Sequence, residues 1–238
     1  MNFRFLCLWV LLVAAPGALH AQKVHTAGKA KNVMTGADLS AHAHLDSLMR
    51  RPGMIALGPL ENLRGEITVL DGIPFVSTVI NGGVSTIESA DVAAPFLAYA
   101  YVEEWERISA SVRFDGLRSI ESFIDSIAQA SGINTEVPFP FVLNASWREY
   151  EYHVIMRDTT EKIHSHEAHK RAKVRFYEND TPADLVGFFS RHHEGVFTHK
   201  GQFIHMHVLT TDRTRTGHLD GIGHSGTITV SLPKKLIE

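Results

Sequence analysis

The chain has 238 residues, with 23 lysines and arginines against 26 aspartates and glutamates and a formal charge of −3. That balance argues against nucleic acid as a partner, since a phosphate backbone selects a basic surface. Cys7 is the only cysteine, so no disulfide can staple the chain and a hydrophobic core must hold it.

Residues 1–21 read as an export signal. Arg4 gives a positive start, Phe5 to Ala15 is apolar and uncharged, and Pro16, Gly17, Ala18 and Ala21 offer a breaker and small residues for cleavage. The apolar run falls short of the roughly 20 residues that a spanning helix needs. Export to the periplasm or the extracellular space is therefore expected, with no stable membrane insertion after cleavage. Cleavage after Ala21 would leave 22 basic and 26 acidic residues, a charge of −4.

Gln22 to Ser40 is rich in Lys, Gly, Ala and Thr and reads as a flexible arm. Ala41 to Met49 predicts a short helix capped by Asp38 or Ser40, and Ile55 to Leu60 is a short apolar segment. Glu66–Leu70 and Ile73–Ile80 flank Asp71-Gly72 and predict a hairpin, and Asn81-Gly82-Gly83 turns the chain again. Pro95 to Val112 is strand-prone, and Ser119 to Ala130 carries a helical pattern with Phe123, Ile124, Ile127 and Ala128 on one side. Further strands are predicted at Pro138–Leu143, Glu149–Met156, Lys173–Tyr177, Leu185–Ser190, Gln202–Thr210 and Gly226–Leu232. Many strands and few long helices predict an α+β fold built on sheets, with residues 41–238 as one domain and a soft internal boundary near residues 130–145. The basic residues Lys162, Lys170, Arg171, Lys173 and Arg175 alternate with Glu161, Glu167 and Glu178 and read as a solvated face.

The chain carries 15 histidines, and three have a spacing that can hold one metal ion. His205 and His207 are two apart, so on a strand they share a face while Met206 points the other way. His218 follows eleven residues later, and Thr216-Gly217 before it permits a close return. Neutral imidazoles suit Zn²⁺, and three protein ligands leave one position open for chemistry. A His-x-His pair alone is more often structural. His164, His166 and His169 form a weaker second cluster, in which a helix over residues 159–170 would put His166 and His169 on one face. His192, His193 and His199 sit in an apparent loop.

By motif and by order, the chain resembles the alpha-acetolactate decarboxylase family. The segments that carry the resemblance are Leu57 to Gly72, Arg157 after a central strand, Leu185-Val186-Gly187-Phe188-Phe189, Glu194-Gly195-Val196, Gly201 to His207, Thr211-Asp212-Arg213 and Gly217-His218. The resemblance spans roughly residues 40–234. It implies a larger mixed sheet packed with a smaller antiparallel one, and an assembly that is often a homodimer. It also implies zinc on His205, His207 and His218, with Glu66, Arg157 and a C-terminal glutamate, here Glu238, in the active site. Gly58-Pro59 departs from the family's usual small hydroxyl and its neighbour at this point.

The implied reaction is decarboxylation of 2-acetolactate, a small 2-hydroxy-3-keto acid, to acetoin and CO₂. Zn²⁺ would polarise the substrate oxygens and stabilise the enediolate left by CO₂. Arg157 would hold the carboxylate or donate toward oxyanion charge, and Glu66 would orient a hydroxyl or move a proton. Two other readings fit the same residues: an exported zinc hydrolase, although no His-Glu-x-x-His run is present, and a noncatalytic metal- or ligand-binding protein on the same fold.

Overall fold

The computed structural model describes residues 23–236. The export signal over residues 1–21, Gln22 and the tail residue Glu238 lie outside the described residues. In chain order the elements are β1 (His25–Ala27), α1 (Ala30–Thr35), β2 (Ala43–His44), α2 (Leu45–Leu48), β3 (Met54–Pro59), β4 (Glu66–Leu70), β5 (Ile73–Ile80), β6 (Gly83–Glu88) and β7 (Ala93–Ala94). They continue as β8 (Leu97–Phe114), α3 (Leu117–Ala130), β9 (Phe139–Ile155), α4 (His166–Arg171), β10 (Lys173–Phe189), β11 (Ile204–Thr210) and β12 (Thr216–Leu236).

The α+β class stands, with much sheet and few helices. A ten-stranded sheet runs in the order β11-β10-β9-β12-β8-β3-β4-β5-β6, with β1 on β8, and β2 and β7 form a separate pair. Its pairings are antiparallel throughout. Because β11 also pairs with the start of β12, strands β9, β10, β11 and β12 close on one another at one end of the sheet.

The hairpin predicted at Asp71-Gly72 forms as expected. Both turn residues take positive φ, 51° and 79°, as a two-residue turn matched to strand twist requires. The two pairs of short strands predicted over residues 138–156 and 173–190 are instead single long strands, β9 and β10. The stretch between the predicted pieces of β9 still alternates. Trp147 is fully buried and its indole N–H donates to the Ala183 carbonyl at 2.9 Å, while Asn144, Ser146 and Arg148 are exposed. The helix predicted over residues 41–49 is reduced to the one turn of α2, because Asp38 spends its carboxylate on Ser40 and His44 holds the cap position.

Three buried clusters pack against the sheet, one of them gathering Met54, Ala56, Ile67 and Val69. Ile120, Ile124 and Ala128 of α3 pack with Trp147, Phe139, Phe141, Phe189 and Met206, so Met206 turns into the core as its alternation predicts. On the other side, Ile55, Leu57, Phe96, Phe188 and Phe197 form a second cluster that includes Val33 of α1. Residues 25–35 are therefore not a loose arm. β1 pairs with β8, Val33 is buried, and the Ala30 and Lys31 amides donate to the Val196 and Gly195 carbonyls at 2.9 and 3.0 Å. No helix among the described residues is long and apolar enough to cross a membrane.

Candidate metal centre and its cavity

The closed end of the sheet sets the site by register. His207 on β11 stands opposite His218 on β12, which stands opposite His153 on β9, so three adjacent strands carry three imidazoles in one row. His205 adds a fourth from the same face of β11. The close approach of β12 to β9 depends on Gly217, where a Cβ atom would sit 2.6 Å from the His153 carbonyl oxygen and 2.7 Å from the Tyr152 ring.

The ring nitrogens of His205, His207 and His218 lie within 4.8 Å of one another. His205 Nε2 is 3.0 Å from His218 Nδ1. His205 and His207 are buried and His218 is less enclosed. His207 Nδ1 meets the Thr68 hydroxyl at 2.9 Å, and its Nε2 is buried with no partner. An orphaned lone pair beside two other imidazoles is what a divalent cation would satisfy, so the donor set fits Zn²⁺.

These histidines line a cavity that opens to solvent. Ala30, Val33 and Met34 of α1 and Phe197 form part of its apolar wall, so the segment read as an arm covers the site. Glu66 lines it from the start of β4, buried, its Oε1 accepting from the Ile155 amide at 3.2 Å and its Oε2 3.9 Å from His207 Nε2.

Electrostatics follow from this enclosure. Burial pushes the Glu66 carboxyl well above the usual range, although the Ile155 amide and the Lys173 charge oppose it. Desolvation and neighbouring imidazoles hold His205 and His218 well below the ordinary histidine value, and desolvation takes His207 to about 3. His199 is lowered to about 4 and His169 to about 3, each by burial and then by the Lys173 charge. His153 is lowered by burial despite its 2.7 Å contact with Asp220.

Of the residues singled out in the sequence, Glu66, His205, His207 and His218 converge here. Arg157 does not line the cavity: its guanidinium donates to the Glu161 carbonyl at 3.0 Å, and its backbone amide is tied to the Leu63 carbonyl at 2.7 Å. The second histidine cluster also divides differently. His164 meets His169 at 3.2 Å and His169 lines the cavity, while His166 stays exposed. No sequence pattern singles out His153, Asp220 or Thr68, while the charge pattern puts Lys173 on a solvated face and His199 falls in an apparent loop. Lys173 and His199 line the cavity, and the Lys173 side chain is only 17% exposed. The signal available for Lys173 was its place opposite Ile155 in the β9–β10 register, which only the pairing reveals.

A model of the alpha-acetolactate decarboxylase family matches residues 26–236. Among solved structures, the fold is similar to a Staphylococcus aureus protein described as of unknown function and similar to alpha-acetolactate decarboxylase. The TM-score is 0.72 at 14% identity, over 90% of this chain and 86% of that one. It is similar as well to alpha-acetolactate decarboxylase from Bacillus subtilis strain 168, with a TM-score of 0.70 at 12% identity over 89% of each chain. Acetolactate decarboxylase from Bacillus subtilis subspecies spizizenii gives 0.69 at 15% identity over 89% of this chain and 90% of that one. Identities this low speak for the fold alone. No curated protein matches the chain.

Proposed function

The chain belongs to the alpha-acetolactate decarboxylase family, and we propose on that premise that it converts 2-acetolactate to acetoin and CO₂ with Zn²⁺ held by His205, His207 and His218. The observation that carries this reading is the convergence of three imidazole nitrogens within 4.8 Å beside buried Glu66 in one cavity. Zn²⁺ bound there would supply Lewis acidity toward the substrate's hydroxyl and ketone oxygens.

The rest falls to the chain's own residues. In a β-keto acid the bond to the carboxylate breaks as its electrons pass toward the ketone oxygen, leaving an enediolate. The carbon that lost CO₂ then takes a proton. Glu66, whose carboxyl burial pushes upward, is the group in the cavity suited to deliver that proton. Val33, Met34, Phe96 and Phe197 restrict water beside the reacting carbon, which favours a carboxylate leaving as neutral CO₂.

Metal content and acetoin formation from racemic 2-acetolactate, with and without a chelator, test the reading. Stoichiometric zinc with chelator-sensitive acetoin production supports it. Zinc without acetoin would turn the question to a noncatalytic role. We further propose export, from the apolar N-terminal run; fractionation of cells with mass measurement of the mature chain tests it, and an uncut chain in the cytoplasm would overturn it.

A further inference from the structure

A substrate that reaches this cavity as a carboxylate needs a positive charge to meet it. Lys173 supplies one. It opens β10 directly opposite Ile155, whose amide anchors Glu66, so its side chain enters the wall beside the proposed proton donor. Its Nζ is 3.5 Å from Asp220 Oδ1 and is not closed off by that pair, since Asp220 also receives His153 at 2.7 Å and Arg175 at 3.8 Å. A carboxylate shared among three donors leaves Lys173 Nζ with capacity for a second acceptor, because an ammonium has three hydrogens to give. The Lys173 charge is felt by Glu66, His153, His169 and His199, which all line the same cavity.

Arg157 is placed otherwise. It stands outside the cavity lining, one of its Nη atoms donates to the Glu161 carbonyl while its Nε is left without a partner, and its charge falls on His164 and Asp158 rather than on the histidine triad. We propose that Lys173, not Arg157, binds the carboxylate of the substrate and turns it toward the interior of the cavity, in line for loss as CO₂. The assignment rests on the decarboxylase reading for the identity of the substrate, though not for the presence of a carboxylate site. Lysine is a point charge on a flexible stem, so it can follow a leaving carboxylate that a bidentate arginine would hold rigidly.

Two non-reacting probes separate the contributions. 2-Hydroxyisobutyrate carries the hydroxyl and carboxylate of 2-acetolactate without its ketone, and acetoin carries the hydroxyl and ketone without the carboxylate. Calorimetric titration of the zinc-loaded full chain should show Lys173→Met binding 2-hydroxyisobutyrate at least tenfold more weakly while binding acetoin within twofold of wild type. Lys173→Arg should recover most of the loss, and Arg157→Gln should change neither probe by more than about threefold. Equal weakening toward both probes would mean a structural role for Lys173 and would overturn the assignment, as would unchanged carboxylate binding, a loss on Arg157→Gln, or a wild type that does not bind 2-hydroxyisobutyrate. Wild-type turnover of 2-acetolactate is read separately. Its absence sinks the decarboxylase, whereas a selective loss of carboxylate binding in Lys173→Met still establishes the anchor.

Discussion

The Thr68 hydroxyl sits 2.9 Å from His207 Nδ1 and decides which nitrogen of that ring faces the cavity. Thr216 donates its hydroxyl hydrogen to the Val208 carbonyl at 2.6 Å. Thr68, 2.7 Å from Thr216 Oγ1, must then donate to Thr216. Its own oxygen is left to accept from His207 Nδ1–H, so the Nε2 lone pair is free. Two threonines on β4 and β12 thus fix a tautomer on β11, as hydrogen bonds behind metal-binding histidines generally do.

Thr68→Val tests this relay with almost no change in shape. The variant should fold, lose about 1–3 kcal/mol of stability from the unpaired Nδ1–H, and bind zinc about 10–100-fold more weakly. Competition against a chromogenic chelator measures the affinity. Wild-type affinity in a folded variant would show that the ring needs no such support.

The part of this site legible in the sequence is the part written at strand spacing. His205 and His207 declare a shared face by their separation alone, and Met206 declares the opposite one. Lys173 was illegible because charged neighbours surround it and only the register of β9 against β10 turns it inward. Residues 25–35 lack an apolar period, so their order comes from tertiary contact with residues 195–196, which no local pattern announces. Arg157 was named from resemblance at the exit of β9, where the chain's hydrogen bond to Leu63 directs the backbone and the guanidinium reaches Glu161.

Buried neutral imidazoles make the metal-free protein sensitive to acid. His207 is held at about 3, His169 at about 3 and His199 at about 4, against about 6.5 in an unfolded chain. Between those values the unfolded chain binds more protons, so stability is complete above about 6.5 and is lost as pH falls below it. Each such ring gives a slope of up to about 1.4 kcal/mol per pH unit. Glu66 works in the opposite sense, being raised, so its contribution is present at low pH and fades as pH rises. The histidines outnumber it. Urea unfolding of the metal-free chain should therefore show a midpoint that drops steeply between pH 6.5 and pH 5, and a flat profile would contradict the enclosure described here.

Gly217 is a packing requirement. Any Cβ there meets the His153 carbonyl oxygen at 2.6 Å, and a backbone atom cannot swing aside as a side-chain tip can. Gly217→Ala should cost about 1–3 kcal/mol by overpacking and should push His218 away from His207. Thermal unfolding reads the first effect and zinc affinity the second. A variant that keeps both would mean that β12 can shift on β9 without disturbing the histidine row.

Glu66 and His205 can be told apart by what each variant keeps. Glu66→Gln retains an oxygen to accept the Ile155 amide and nearly the same volume, so the protein should fold and hold its zinc. It loses the acidic proton, and acetoin formation should fall by about 10²–10⁴. His205→Ala instead removes one of three converging nitrogens, so zinc occupancy and turnover should be lost together. The same variant should also lose the stabilisation that zinc gives wild type, about 2.7 kcal/mol at a hundredfold excess over Kd. Zinc loss in Glu66→Gln would move Glu66 from proton delivery to metal binding. Full zinc occupancy in His205→Ala would show that the ion, if bound, is held by other residues of the cavity.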